Sequence, residues 1–158
     1  MYYVFLDKLQ LPIAPGEITT VINGNNKRVH LINDGEINIL KLPGLTEISF
    51  DFLLPHTKYP FASYGTAGFV GQHAFFVYLE RLQTKQKPFQ FIVSRMSGNK
   101  LLFNTNLKVS LESYDIKEVA DNGLDQIISV RLVQYKTYST KVLQTDSNGN
   151  TTVKKTRG

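Results

Sequence analysis

Cysteine is absent from this 158-residue chain. That excludes a disulfide, a thiolate zinc site and a cysteine nucleophile, and it suits both cytoplasmic synthesis and later survival outside the cell. Long apolar runs are absent too, and none approaches the roughly 20 residues that a membrane-crossing helix needs. Met1 leads directly into the strand-like YYVFL, with no basic n-region of a secretory signal. His30, His56 and His73 stand far apart, and none has a second histidine at i+3 or i+4, so no local metal-ligand pattern exists. There is no Gly-x-Ser-x-Gly elbow and no Gly-Lys-Ser/Thr phosphate loop. Gly65, Gly68 and Gly71 make YGTAGFVG glycine-rich, but without nucleotide-binding spacing. Glu47 and Asp51 alternate on the solvent side of a strand pattern, and Glu112, Asp115 and Glu118 are spread along another. A solvated polar face is the ordinary reading of such carboxylates, since acid–base work needs burial to shift a pKa. No catalytic residue, cofactor-binding residue or metal ligand is therefore expected.

Acidic residues are also in the minority, 13 against 18 Lys and Arg, for a net charge of +5. From residue 141 onward Lys141, Lys154, Lys155 and Arg157 stand against Asp146 alone, a balance of +3. The remaining 14 cations and 12 acids leave the body at only +2. Much of the excess thus belongs to a polar tail, which argues against specific nucleic-acid binding. Hydrophobic residues make up 42% and charged residues 20%, a globular composition long enough to bury a core.

Only one stretch, residues 71–87, reads as a helix. Phe75, Leu79 and Leu82 fall at i, i+4 and i+7, with Phe76 and Tyr78 widening the stripe. Lys85 and Lys87 suit the negative helix end, and Pro88 stops it. The ordinary meaning of such a stripe is core packing. The rest of the chain reads as strands. Residues 2–6 and 9–13 form a first pair, with Pro12 marking an edge or irregular connection. Residues 17–22 and 27–32 flank Asn23-Gly24, which predicts a tight hairpin. Asn33-Asp34-Gly35 predicts a second hairpin into residues 36–42, giving a local antiparallel meander.

Residues 45–54 show the cleanest alternation, with Ile48, Phe50, Phe52 and Leu54 on one face. After the helix, Phe89, Phe91 and Val93 share a face, and Ser97-Gly98-Asn99-Lys100 turns the chain. Leu107, Val109 and Leu111 lie in one phase and Tyr114 and Ile116 in the other. That switch near Glu112 and Ser113 predicts a bulge, or a strand passing from one sheet to another. Asp121-Asn122-Gly123 predicts a third hairpin, returning through Ile128, Val130 and Leu132 in a ribbon able to extend past the body. The predicted fold is mainly β (α+β), an antiparallel β-sandwich or barrel with one flanking amphipathic helix.

Two segments stand outside this pattern. Residues 55–71 form a long irregular loop holding His56, Tyr59, Phe61, Tyr64 and Phe69. Rings at this density are expected to be ordered, either as a contact surface or packed against the helix. Residues 141–158 are polar and unpatterned, and read as a flexible tail or linker following a domain at 1–140.

Three stretches together resemble a known family. They are YYVFLDKLQLPIAPGEITTVINGNN, INDGEINILKLPGLTEISFDFLLPHTKYPF and the run from KPFQFIVSR to GNKLLFNTNLKVSLESYDIKEVADNGLD. They resemble the N-terminal domain of the LysM-containing tail or baseplate proteins of contractile phages, PBSX-type prophages and related bacteriocins. The resemblance covers residues 1 to about 140. It implies a tail-tube-like domain and a non-enzymatic structural role, as an adaptor ring between tail tube and baseplate hub. It implies as partners the tube, tube initiator and hub proteins and further copies in a homo-oligomeric, hexameric ring. The implied location is the host bacterial cytoplasm during assembly and the tail particle afterwards. Family members continue past a polar linker into a glycan-binding LysM module, and residues 141–158 match only that linker. Two other classes bear on the same residues. A carbohydrate-binding module would use the rings between Tyr59 and Phe69, exposed in one plane. A small hydrolase would need His30, His56 or His73 to meet an acid in a pocket.

Overall fold

The alternation along Thr46–Leu54 sets the architecture. Ile48, Phe50, Phe52 and Leu54 are all buried, while Glu47, Ser49 and Asp51 between them are exposed. A computed structural model describes residues 2–32, 35–66, 68–98, 100–138, 141–145 and 151–155, the last two segments by their backbone. Among the described residues eleven strands and one α-helix follow in the order β1 (Tyr2–Leu6), β2 (Leu9–Gln10), β3 (Ile18–Ile22), β4 (Lys27–Leu31), β5 (Gly35–Ile39), β6 (Thr46–Leu54), α1 (Gln72–Thr84), β7 (Phe89–Ser97), β8 (Lys100–Glu118), β9 (Gln126–Gln134), β10 (Lys141–Thr145) and β11 (Thr151–Lys155). A short 3₁₀ turn, Ala120–Asn122, joins β8 to β9.

Seven strands form one antiparallel sheet in the order β2-β1-β7-β8-β9-β6-β3. Registry carries one apolar face across it: Val4 faces Val93, Leu111 faces Leu132, and Val130 and Ile128 face Phe50 and Phe52. The sheet does not lie flat. β7 and β6 are three strand spacings apart in the ladder, about 14 Å if flat, yet the Phe50 and Phe91 rings stack at 5.5 Å. The corner is β8. Its first half pairs with β7 and its second with β9, the two ladders meeting at Val109, and the register shifts between Leu111 and Ser113. The predicted phase switch is this bulge, and the predicted sandwich-or-barrel body is a single sheet turned back on itself.

Helix α1 closes the apolar face. Phe75 and Leu79 are buried, Phe76 and Leu82 pack at the margin, and the Phe75 ring sits 5.5 Å from Phe52. The Tyr78 hydroxyl donates to the Leu6 carbonyl at 3.2 Å. Burial and the nearby Asp7 carboxylate hold the Tyr78 phenol above its ordinary pKa of 10.0. At the other end the Gln72 amide donates to the carbonyls of Leu54 and Leu124, tying the helix start to β6 and to the β8–β9 turn. The helix stops before Lys85 and Lys87, because Gln86 takes a left-handed conformation, φ +48°.

Two turn expectations divide. Gly123 closes the β8–β9 connection at φ +63°, and Gly98 and Gly35 serve the other two hairpins at φ +56° and +82°. Asn33, Asp34 and Asn99, named for those hairpins, lie outside the described residues. The tight hairpin at Asn23-Gly24 is not formed. Ile22 pairs with Thr46 and Lys27 with Ile39, so β3 and β4 do not pair with each other. A two-residue turn of this kind needs positive φ at both central residues, and neither Asn23 nor Gly24 has it. The local meander is therefore a β3–β6 ladder carrying an inserted β4–β5 hairpin. Strands β10 and β11 pair from Lys141 with Lys155 to Thr145 with Thr151, as a sheet of their own.

Phe75→Ala is expected to lower stability by about 3–5 kcal/mol, read from the midpoint and slope of chemical denaturation. Gly123→Ala should cost about 1–3 kcal/mol for its forced backbone. Gly24→Ala, where an added Cβ meets nothing within 4 Å, should be neutral or gain up to about 1 kcal/mol. Equal losses at the two glycines would restore the tight turn at Asn23-Gly24.

Candidate functional site

The inserted hairpin is a free-standing arm. Its root is held by the Gly44 N–H donating to the Asn23 carbonyl at 2.8 Å and the Lys41 N–H donating to Asn26 Oδ1 at 3.0 Å. The Asn-rich segment thus braces the facing segment 40–45 instead of reversing the chain. Beyond the root, β4 and β5 alternate faithfully. Val29, Leu31, Ile37 and Ile39 share one face, while Arg28, His30, Glu36 and Asn38 share the other. The polar face carries a 4.0 Å contact between His30 and Glu36. The apolar face has no core beneath it. Ile37 and Ile39 are 41% and 43% exposed, and Leu40, Leu42 and Ile32 reach 78%, 86% and 93%. A lone two-stranded ribbon is marginal in water and gains its order by packing an apolar face on something.

A second apolar tip lies where β7 turns into β8. Leu101, Leu102 and Phe103 are each more than half exposed. Arg95 lies over the Phe103 ring at 4.3 Å and donates to Thr105 Oγ1 at 2.8 Å, which stiffens this tip.

The aromatic loop is pinned. Asp125 is buried at the start of β9, and its carboxylate accepts the His56 backbone N–H at 2.7 Å and the Tyr59 hydroxyl at 2.9 Å. The hydrogen bond to Asp125 is the main reason the Tyr59 phenol sits above its ordinary pKa of 10.0. On the other side, Gln10 Nε2 donates to Ser63 Oγ at 2.8 Å and the Ser63 N–H to the Pro12 carbonyl at 2.9 Å. The rings form two pairs: Tyr59 stacks on Phe61 at 5.1 Å, and Tyr64 meets Phe69 edge-on at 5.5 Å. Phe61 is 73% exposed. The loop is thus built into the domain at both ends, with Phe61 presented outward and Phe69 partly so, and its rings do not form a single plane. Beneath it lies a cleft of about 540 Å³ lined by Phe5, Leu9, Pro12, Tyr64, Val70 and Phe75.

The histidines are not brought together. His30 lies on the arm, His56 in the loop and His73 in the first turn of α1, all exposed. Among the described residues no group of three His, Asp or Glu side chains is placed to hold a metal ion. Glu47 and Asp51 stand exposed on the outer face of β6, and Asp51 shares a shallow groove with Asp115, Lys117 and Arg131. Among the described residues no helix is long and apolar enough to cross a membrane, which says nothing of strands. Sequence reasoning identified the loop but missed the arm as a separate element. The missed signal was the interval of six residues between Ile39 and Thr46, too long for a continuous strand and rich in apolar Leu.

No family model matches the chain. The Bacillus subtilis (strain 168) protein YqbP, itself uncharacterized, is 30% identical over 138 residues, covering 87% of this chain. The chain spans 59% of that relative's length. Among solved structures, a chain of the sheath–tube complex of an extracellular contractile injection system superposes with a TM-score of 0.59 at 12% identity, covering 85% of this chain and 84% of that one. A chain of the tube-terminating cap of the anti-feeding prophage gives 0.56 at 14%, covering 84% and 83%. A chain of the sheath/tube terminator of an extracellular contractile injection system gives 0.56 at 13%, covering 85% and 89%. The fold, mostly antiparallel β-sheet with one helix, is tail-tube-like.

Asp125→Asn should bring the Tyr59 pKa down toward 10.0, followed by NMR titration of ring-labelled tyrosine. The sign follows from the neutral phenol being the favoured donor to the carboxylate. Its stabilisation is complete below the unfolded value and is lost as pH rises through the raised folded one. An unmoved Tyr59 titration would show that the carboxylate does not hold the loop.

Proposed function

We propose that this chain is a structural component of a contractile phage tail or phage-tail-like particle, acting as an adaptor ring between tail tube and baseplate hub. The observation that carries the reading is the uncovered β4–β5 arm on a domain whose fold is shared, over 83–89% of their length, with chains from contractile-injection sheath–tube, cap and terminator structures. An arm with an apolar face suits assembly, because such a face is stable only against a partner. The work done is packing, and the role is non-enzymatic. The partners in this reading are tube, tube-initiator and hub proteins, together with further copies of the chain in a hexameric ring. Closure into a ring also removes the free edges β2 and β3 that the open sheet would leave. The chain belongs first to the cytoplasm of the producing bacterium and then to the finished particle. Residues 1–140 are the ring-forming domain and residues 141–158 the polar lead out of it.

Mass spectrometry and cryo-electron microscopy of intact tails purified from the producing cells test this directly. The chain is expected as a ring at the junction of tube and baseplate, and deletion of its gene should abolish normal baseplates. Full-length contractile tails with normal baseplates in the deletion strain would overturn the assignment.

A further inference from the structure

We infer that the β4–β5 arm of one copy docks, apolar face inward, on the β8–β9 turn of a second copy, joining copies head to tail. The inference deepens the assembly reading above, on which it rests for its setting, by naming the two surfaces that meet.

The first surface is the arm. Val29, Leu31, Ile37 and Ile39 line one face; Lys27, paired with Ile39, shares it and exposed Lys41 follows it, while Arg28 and Glu36 stand on the other face. The described arm is therefore a basic-rimmed apolar ribbon.

The second surface lies at the opposite end of the same ladder. β6 begins at Thr46, where the arm returns, and ends at Leu54 paired with Gln126, where the β8–β9 turn sits. The strand between those ends is nine residues long, about 30 Å. At this far end Ile116, Val119 and Leu124 are exposed at 43%, 40% and 69%. Phe61 joins them, since its stacking partner Tyr59 is hydrogen-bonded to Asp125 in the same turn. The surrounding exposed charges are Asp51, Glu112, Asp115, Glu118 and Asp121 against Lys58, Lys117 and Arg131. This is an acid-rimmed apolar patch, opposite in sign to the arm.

One molecule thus carries an apolar surface with a basic rim at one end of β6 and its electrostatic complement at the other. Two complementary surfaces at opposite ends of one chain give a heterologous contact, which propagates from copy to copy into a ring or a stack. An arm-to-arm contact is disfavoured because it would set Lys27 and Lys41 of one copy against the same cations of another.

The cysteine-free sequence makes the test clean. Ile37→Cys and Leu124→Cys are prepared as two separate full-length proteins, mixed at equal concentration and oxidised. Disulfide-linked heterodimer is then measured on non-reducing gels against a control pair, Ile37→Cys with Glu80→Cys on the outer helix surface. The arm–turn pair is expected to cross-link about tenfold or more faster than the control, the mark of a raised effective concentration, and to slow with added salt. Ile32→Cys at the arm tip supplies a second arm position should Ile37→Cys fold poorly. Rates equal to the control at both arm positions would overturn the inference. So would arm-to-arm dimers of Ile37→Cys outrunning the arm–turn pair. If the arm–turn link fails while the chain is found at the tube–baseplate junction, this contact is wrong and the assembly role stands. If the link forms and the chain is missing from tails, the role is wrong and the contact stands.

Discussion

Phe75 and Leu79 press one helix against the apolar side of a seven-stranded sheet, and the rest of the domain depends on that contact. A sheet turned back on itself still has an open side where its inward rings would meet water. Thirteen residues of helix cover it. Full burial of each such side chain is worth about 1.5–3 kcal/mol, and the Phe52–Phe75 and Phe50–Phe91 contacts join helix, β6 and β7 into one core. Because the helix is roped to Leu54 and Leu124 through Gln72, closing the core also sets where the aromatic loop begins and where the β8–β9 turn stands. The Asp125 clamp then fixes the loop from the same turn. A packing constraint in the middle of the domain therefore fixes the geometry of one end.

The other end obeys a different constraint. The arm has satisfied its backbone hydrogen bonds in its own ladder but has not buried its apolar side chains. Backbone pairing alone leaves a two-stranded ribbon marginal, and in the proposed role an assembly partner would cover the arm's apolar face. The free sheet edges β2 and β3 point the same way. An interior that closes on itself and an exterior that does not are what distinguishes a building block from a self-sufficient domain.

Much of the interior was legible along the chain because it rests on periodicity. Ile48, Phe50, Phe52 and Leu54, then Phe89, Phe91 and Val93, then Ile128, Val130 and Leu132 alternate with residues that are polar except Leu53 and Ile92, and every one is buried. The Phe75–Leu79 spacing marked the helix face, and the phase change at Glu112 and Ser113 marked the bulge that lets β8 serve two neighbours. What misled was Asn23-Gly24. The dipeptide is a strong local turn signal, but Ile22 finds a better partner in Thr46, and the register between distant strands overrides the turn.

The sequence by itself determined the class of the fold, the inward faces of its strands and the single helix, because these follow from local periods of two and 3.6 residues. It also excluded a disulfide and a cysteine nucleophile, since no cysteine is present. Only the tertiary structure decided which strands are neighbours. From that came the corner at β8, the insertion of the arm into the β3–β6 ladder and the meeting of Asp125 with Tyr59 across 66 residues of chain. Those depend on long-range registry, in which one pairing excludes another, and no local pattern records which pairing wins. The exposed face of the arm is likewise a tertiary fact, because an alternating strand reads the same whether its apolar side meets a core or water.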